Sequence, residues 1–195
     1  MGVAEVSEDR ISEVLLTPEQ IMARVAELGK HVSEDYAGRK LILVGVLNGA
    51  FVFLADLIRA ISIPLEVDFV AISSYGAATR SSGVVRIIKD LEKSVEGKHV
   101  LLVEDIIDTG LTLKLSYIVE NLKARKAASV KICTLLDKPS RREADVHADY
   151  VGFEVPDKFV IGYGLDHNGL YRNLPFVGIL REDTDISTRP ECAGE

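Results

Sequence analysis

The sequence predicts an α/β fold in which helices flank a mainly parallel sheet. Apolar runs typical of buried strands alternate along the chain with segments whose apolar residues recur at helical spacing. The length of 195 residues suits one domain, and a content of 47% hydrophobic and 27% charged residues is ordinary for a globular chain. The sequence contains no internal repeat and no low-complexity tract.

The first half of the chain opens with a helix. Thr17 can cap it, Pro18 suits its first position and Gln20 completes a capping box, and the apolar spacing continues to about Tyr36. Further elements are predicted as a strand at 41–46, a helix at 50–61, a strand at 65–73 and a strand at 84–88. The connection at 73–83 is long and rich in small polar residues, which is typical of a lid or a disordered loop.

The second half continues the alternation. A strand at 99–103 precedes a helix at 111–123, in which leucine and isoleucine recur every three or four residues. The remaining pattern predicts a strand at 129–136, a turn at 137–140 and short strands at 150–153, 159–163 and 176–180. We expect residues 1–10 and 184–195 to be loose ends.

Charge limits the classes of partner. The net charge of −7 argues against a general nucleic-acid or anionic-membrane surface, because both require a basic face. It leaves room for a small phosphorylated substrate, which needs only a local group of amides and cations. We therefore expect small-molecule substrates, with no nucleic-acid and no membrane partner.

Cysteine usage and hydropathy predict the cellular compartment of the protein. Cys133 lies in an apolar run typical of a buried strand and Cys192 in a polar tail, so neither a disulfide nor a metal spacing is present. The N-terminus is acidic and lacks an apolar stretch. The longest apolar segment, 41–58, is interrupted by Asn48-Gly49, which favours strand, turn and helix over a membrane span. These features predict a cytoplasmic protein.

The segment from Val100 to Thr112 carries the most specific chemical signal. A buried strand ends in the adjacent carboxylates Glu104 and Asp105, and a turn rich in small residues, including Gly110, then opens a helix. Ligands bind at the carboxyl ends of strands in open α/β sheets, and amides at a helix N-terminus favour a phosphate. Paired carboxylates can accept hydrogen bonds from vicinal ribose hydroxyls. The segment therefore predicts a sugar-phosphate site.

Two other phosphate-binding classes can be tested on the sequence. No G-x-x-x-x-G-K-[ST] pattern is present, which argues against a P-loop nucleotidase. Gly162 and Gly164 begin a G-x-G, but His167 stands where a dinucleotide fingerprint needs its last glycine. A plain acidic turn before a helix explains any two residues of the segment but not the whole.

A family motif is recognisable in the run Glu104-Asp105-Ile106-Ile107-Asp108-Thr109-Gly110. It resembles the phosphoribosyl-pyrophosphate motif of the type I phosphoribosyltransferases, and residue by residue it is similar to that of the hypoxanthine-guanine phosphoribosyltransferases. The resemblance extends from about Leu15 to Asp183 through several separated motifs. It implies one phosphoribosyltransferase domain over 1–195, with a small hood formed by the terminal segments. It also implies a magnesium cofactor and a homodimer or homotetramer.

The resemblance assigns a role to each motif. It implies that ribose and its 5-phosphate are held by Glu104, Asp105, Asp108, Thr109, Gly110, Leu111 and Thr112. Pyrophosphate would be bound by Leu47, Asn48, Gly49 and Arg172, and the purine by Lys138, Phe159, Val160 and Asp166. Magnesium would be held by Glu104, Asp105 and Asp166, and a lid would begin at Ser74 and Tyr75.

Some of these assignments depend on the resemblance alone. Without it, Phe159 is typical of a core aromatic, Arg172 of a surface cation and Lys138 of a solvated turn lysine. Two residues depart from the common family pattern, since many members have Lys at the position of Asn48 and an aromatic residue at that of His167.

The implied reaction transfers a phosphoribosyl group from 5-phosphoribosyl 1-pyrophosphate to hypoxanthine or guanine, giving IMP or GMP and pyrophosphate. Asp108 would be the general base that accepts the proton from purine N7. Three alternatives remain. The first is a preference for xanthine. The second is an RNA-binding regulator of the same fold, which the charge of −7 disfavours. The third is a nucleotide-sensing domain that has lost the general base or the purine-binding lysine, which the presence of both Asp108 and Lys138 disfavours.

Overall fold

The computed structural model describes residues 11–74, 85–139 and 147–181, without the side chains of 74, 85 and 109–113. The predicted loose ends, Tyr75 and the rest of the predicted lid after Ser74 lie outside the described residues. Within these ranges the chain forms β1 (Ile11–Leu16), α1 (Pro18–Asp35), β2 (Leu41–Leu47), α2 (Phe51–Ala60), β3 (Leu65–Ser74), β4 (Val85–Lys89), β5 (His99–Ile107), α3 (Thr109–Ala124), β6 (Ser129–Asp137), β7 (Tyr150–Glu154), β8 (Val160–Ile161) and β9 (Val177–Leu180).

The main sheet confirms the predicted α/β class. Its strand order over the described residues is β4-β3-β2-β5-β6-β7, and its pairs are parallel except β3 with the edge strand β4. Because side chains alternate across a strand, β2 divides its residues between two cores. Leu43 packs in the cluster that contains residues of α1 and α2, and Val44 packs in the cluster that contains residues of α3.

Local sequence signals explain the first helix. Thr17 Oγ1 accepts a hydrogen bond from the Gln20 amide at 3.3 Å, and Gln20 Oε1 accepts one from the Thr17 amide at 2.8 Å, which confirms the capping box. The absence of a side chain at Gly29 lets α1 approach α2 closely, because a Cβ there would overlap Ala60.

A second, antiparallel sheet in the described chain has the order β1-β9-β8 and is called the hood here. It joins the N-terminal strand to two late strands, as the predicted hood requires. The strand Ile11–Leu16 was not predicted from the sequence, because its pairing with β9 contains two register shifts. These shifts remove the regular alternation by which a strand is identified.

Two strands end two or more residues away from the predicted position. The strand predicted at 99–103 continues to Ile107, since Ile106 and Ile107 still pair with β6. Glu104 and Asp105 therefore lie inside β5, and Asp108 alone separates this strand from α3. The strand predicted at 159–163 is limited to Val160–Ile161, because the residues that follow adopt positive φ angles.

Candidate active site

A cleft of about 330 Å³ opens at the carboxyl edge of the main sheet. It gathers side chains from segments that are far apart in the sequence. Its lining residues are Val46, Leu47, Asn48, Gly49, Ile72, Glu104, Asp105, Ile106, Asp108, Lys114, Lys138, Phe159, Val160, Leu165, Asp166 and Arg172. All of the predicted pyrophosphate- and purine-binding residues, and all three predicted metal ligands, are in this set.

The adjacent carboxylates of β5 have different neighbours. Glu104 is 3% exposed, and its Oε2 atom has no hydrogen-bond partner. Burial and the negative charge of Asp105 raise the pKa of Glu104, while the positive charge of Lys114 opposes the shift. Because neighbouring residues of a strand point to opposite faces, Glu104 and Lys114 belong to the α3 side of the cleft.

Asp105 belongs to the opposite side of the cleft. Burial raises its pKa to about 6, although the amide of Ile106 donates to it at 2.9 Å and Arg172 lowers the pKa by its charge. The negative charge of Asp166 contributes to the rise. The arrival of a cation or a hydrogen-bond donor favours the charged form of such a carboxyl and lowers its pKa.

The loop after β2 passes directly against Asp105. A Cβ at Gly49 would overlap the Asp105 carboxylate, and a Cβ at Gly164 would overlap the Gly49 carbonyl. The Leu47–Asn48 peptide bond is cis. The backbone of this loop therefore forms one wall of the cleft.

Asp108 and Lys138 form an ion pair across the ends of two strands. Lys138 Nζ donates to Asp108 Oδ2 at 3.3 Å, and the Lys138 amide donates to the Ile107 carbonyl at 3.1 Å. Lys138 is only 6% exposed. It is thus not the solvated turn lysine that the sequence without the resemblance suggests.

The loop between β8 and β9 carries Asp166 and Arg172. The Arg172 guanidinium contacts Asp166 Oδ1 at 2.6 Å and donates to the Gly164 carbonyl at 2.5 Å. Asn168 and Gly169 both have positive φ angles and connect reciprocal backbone hydrogen bonds of a two-residue turn. These contacts hold Arg172 in the cleft, so it is not a free surface cation.

Phe159 lies at the mouth of the cleft beside the hood. The residue is 53% exposed, which contradicts the core position that the sequence alone suggests. His167 contacts the ring edge-on, with ring centroids 5.3 Å apart. The Phe159 carbonyl accepts from the Leu180 amide at 3.1 Å, and Val160 pairs with Ile179. The hood thus fixes the backbone next to an open aromatic face.

Sequence reasoning missed Lys114 as a cleft residue. Lys114 lies four residues before Ile118 on the apolar stripe of α3, but this spacing alone does not distinguish a cleft residue from an ordinary helix lysine. For Thr109, Gly110, Leu111 and Thr112 the structure describes only the backbone, which forms the first turn of α3. Ser74 ends β3, without a described side chain.

The residues of the cleft fit a magnesium ion only in combination with substrate. Among the described residues no group of three or more His, Cys, Asp or Glu side chains could hold a metal alone. However, Asp105 and Asp166 interact electrostatically, and a buried Glu104 oxygen lacks a partner. Magnesium commonly takes one or two carboxylates together with substrate phosphates and water.

No described helix has the length and hydropathy needed to cross a membrane.

Sequence comparison identifies the class to which this fold and cleft belong. Residues 12–168 match the family model described as the phosphoribosyl transferase domain. This match covers most of the chain, so the chain belongs to the phosphoribosyltransferase family and is a transferase enzyme.

Individual relatives show which members of this family the chain is similar to. A hypoxanthine-guanine phosphoribosyltransferase of Bacillus subtilis (strain 168) is 56% identical over 171 residues, which cover 88% of this chain and 94% of that protein. The protein of the same name from Staphylococcus aureus (strain Mu50) is 51% identical over 89% of this chain and 96% of its own length. A crystal structure of a hypoxanthine phosphoribosyltransferase from Staphylococcus aureus superimposes with a TM-score of 0.86 at 49% identity, covering 92% and 97% of the two chains.

Proposed function

We propose that this protein transfers the phosphoribosyl group of 5-phosphoribosyl 1-pyrophosphate to hypoxanthine or guanine, as a purine-salvage enzyme. The main support for this proposal is that one cleft contains side chains from four separate segments of the chain. These side chains are Asp105, Asp108, Lys138, Phe159 and Arg172. Together these residues offer a carboxylate edge, a buried ammonium, an aromatic face and a guanidinium. The names of the relatives support the same substrates.

The Asp108–Lys138 pair suits the edge of a 6-oxopurine. Oxygen O6 and nitrogen N7 lie side by side on that edge, and a lysine ammonium has three donors. Lys138 can therefore donate to O6 while it keeps its contact of 3.3 Å with Asp108. Asp108 would then lie near N7, where a general base would accept the proton as N9 attacks the sugar.

The remaining groups of the cleft suit the sugar and the leaving group. Glu104 and Asp105 would accept hydrogen bonds from the ribose hydroxyls and lie near the ring as it becomes cationic. Arg172 and the amides beside Gly49 would stabilise the negative charge that develops on pyrophosphate. Asp105 and Asp166 would hold magnesium, which supplies further positive charge to pyrophosphate when bound.

The decisive experiment measures nucleotide formation. The purified protein is incubated with the sugar donor, magnesium and labelled hypoxanthine, guanine, xanthine or adenine in separate reactions. We expect IMP and GMP from the first two bases and little product from adenine. Faster conversion of xanthine would move the assignment to that base, and no product from any base would reject the enzymatic proposal.

The organisation of the protein is also a proposal. We infer one phosphoribosyltransferase domain that assembles as a homodimer or homotetramer, with exposed apolar residues such as Phe51 and Leu170 available for contacts. Sedimentation velocity measures the number of subunits directly. Cytoplasmic location and the lack of nucleic-acid and membrane partners remain predictions from the sequence.

A further inference from the structure

Lys114 lies on the face of α3 that packs against the main sheet. It precedes Ile118 by four residues and Leu122 by eight, and both are buried in the core on that side. Residues four apart stack on one face of a helix, so Lys114 extends this stripe to the carboxyl edge of the sheet. There its side chain lines the cleft.

Lys114 differs from the other cations of the cleft because it forms no ion pair with a described residue. Lys138 and Arg172 each contact a carboxylate, at 3.3 and 2.6 Å. Over the described residues, Lys114 has no carboxylate oxygen within the 4.0 Å that defines an ion pair. Its charge acts on Glu104, whose buried Oε2 atom has no hydrogen-bond partner. This side of the cleft thus holds an available ammonium and an unsatisfied oxygen.

We propose that Lys114 is a substrate-binding residue that contacts the 5-phosphate of the sugar substrate. Long side chains on a helix lean toward its N-terminus, so Lys114 reaches back over the turn that contains Gly110 and Leu111. A phosphate at this N-terminus receives the free amides of the first turn and, from the side, the ammonium of Lys114. The assignment rests on the proposed function, because its ligand is the phosphoribosyl group.

The test is Lys114→Met, with calorimetric titration of ribose 5-phosphate and, separately, of pyrophosphate with magnesium. Loss of one charged contact should weaken ribose 5-phosphate binding about tenfold and leave pyrophosphate binding within about twofold. In turnover, the KM for the sugar donor should rise by a similar factor while kcat changes little. Lys114→Arg should retain most of the affinity, because the charge is kept.

Lys123→Met is the matched control, since Lys123 is exposed in the last turn of the same helix. It should change none of these constants. Unchanged ribose 5-phosphate binding in Lys114→Met, or equal weakening of pyrophosphate, would overturn the assignment. If Lys114→Met unfolds, Lys114→Gln with thermal denaturation as a check answers the same question.

The titration contains no purine, so it separates this inference from the proposed reaction. A wild-type protein that binds ribose 5-phosphate through Lys114 but forms no nucleotide contradicts the reaction alone. A wild-type protein that forms nucleotide, with Lys114→Met binding ribose 5-phosphate equally well, contradicts the Lys114 assignment alone.

Discussion

Asp108 and Lys138 show how two residues from different strands become one chemical unit. Asp108 follows the last residue of β5 and Lys138 follows the last residue of β6, and these strands are parallel neighbours. Their ends therefore meet at one edge, and the ammonium lies 3.3 Å from the carboxylate. The ion pair keeps both charges satisfied before a purine arrives.

Asp108→Asn should separate proton transfer from binding. The amide keeps the shape of the side chain but cannot accept a proton, so kcat should fall by about 10²–10⁴-fold. Binding of ribose 5-phosphate should change much less, because Asp108 acts at the purine edge. Single-turnover kinetics and calorimetric titration measure the two effects. Equal losses in both would remove Asp108 from the role of base.

Phe159→Ala tests the exposed aromatic face. If the ring stacks on the purine, its loss should raise the KM for hypoxanthine by an amount equivalent to about 1–3 kcal/mol. The KM for the sugar donor should stay near its wild-type value. Tyr117→Ala removes a partly exposed aromatic from α3, outside the cleft lining, and serves as the control. An unchanged KM for hypoxanthine would show that the ring does not stack.

The sequence predicted residues of this site unevenly. Glu104 and Asp105 could be identified from local chemistry, because adjacent carboxylates before a helix N-terminus are an unusual combination, whereas the role of Asp108 came from the resemblance. Lys138 and Phe159 required the resemblance, since a lysine in a turn and an aromatic beside an apolar run are common. Lys114 was missed because a single lysine on an amphipathic helix carries no local signal, and tertiary packing alone directs it into the cleft.

Asp68 shows how a side chain of β3 holds the loop between β4 and β5. Its Oδ2 atom accepts hydrogen bonds from the amides of Glu92 and Lys93 at 2.9 and 3.0 Å. Burial raises the pKa of this carboxyl, but these amides, that of Phe69 and the charge of Lys89 lower it overall below the ordinary 3.8. A depressed folded pKa means that Asp68 stabilises the fold at neutral pH, and that this contribution is lost as the pH falls through the folded pKa.

Asp68→Asn is therefore expected to lower the free energy of unfolding at pH 7 by about 1–3 kcal/mol, because two amides lose a charged acceptor. The difference from wild type should shrink below about pH 4, as the wild-type carboxyl becomes protonated. Urea unfolding at several pH values measures this. Glu92→Gln, at an exposed side chain, should change little. A difference that does not depend on pH would contradict the role of the Asp68 charge.

Elements with strong periodicity were predicted well, and those shaped by tertiary contacts were not. The start of α1 followed from Thr17 and Gln20, whose side-chain hydrogen bonds are local. The end of β5 did not, because Ile106 and Ile107 continue the strand only through their pairing with β6. The short β8 ends where Gly162 takes a φ of 94°.

In the proposed purine site the two sheets act on different parts of the base, because Lys138 approaches its edge from the main sheet and Phe159 covers its face from the hood. The main sheet supplies Glu104, Asp105 and Asp108, which we assign to the sugar and to proton transfer. The hood fixes Phe159 and Val160, which we assign to the purine. The hood strands come from both ends of the described chain, so the proposed purine site depends on contacts between residues far apart in sequence.

The variant Gly178→Val tests whether the hood supports purine binding. Gly178 lies in β9, the central hood strand, and a Cβ there would approach the Ile11 side chain at 3.0 Å and the Phe176 ring at 3.2 Å. A branched side chain should displace the strands and cost about 1–3 kcal/mol of stability. Because β9 pairs with the backbone beside Phe159, the KM for hypoxanthine should rise severalfold.

Binding of ribose 5-phosphate to the same variant should stay within about twofold of wild type, since its residues belong to the main sheet and α3. Gly97→Val is the control, because Gly97 has a positive φ of 69° and open space around it, in the loop before β5. It should lose stability through backbone strain and keep the wild-type KM for hypoxanthine. Parallel losses of purine and ribose 5-phosphate binding in Gly178→Val would mean that the hood supports the whole cleft, not the purine side alone.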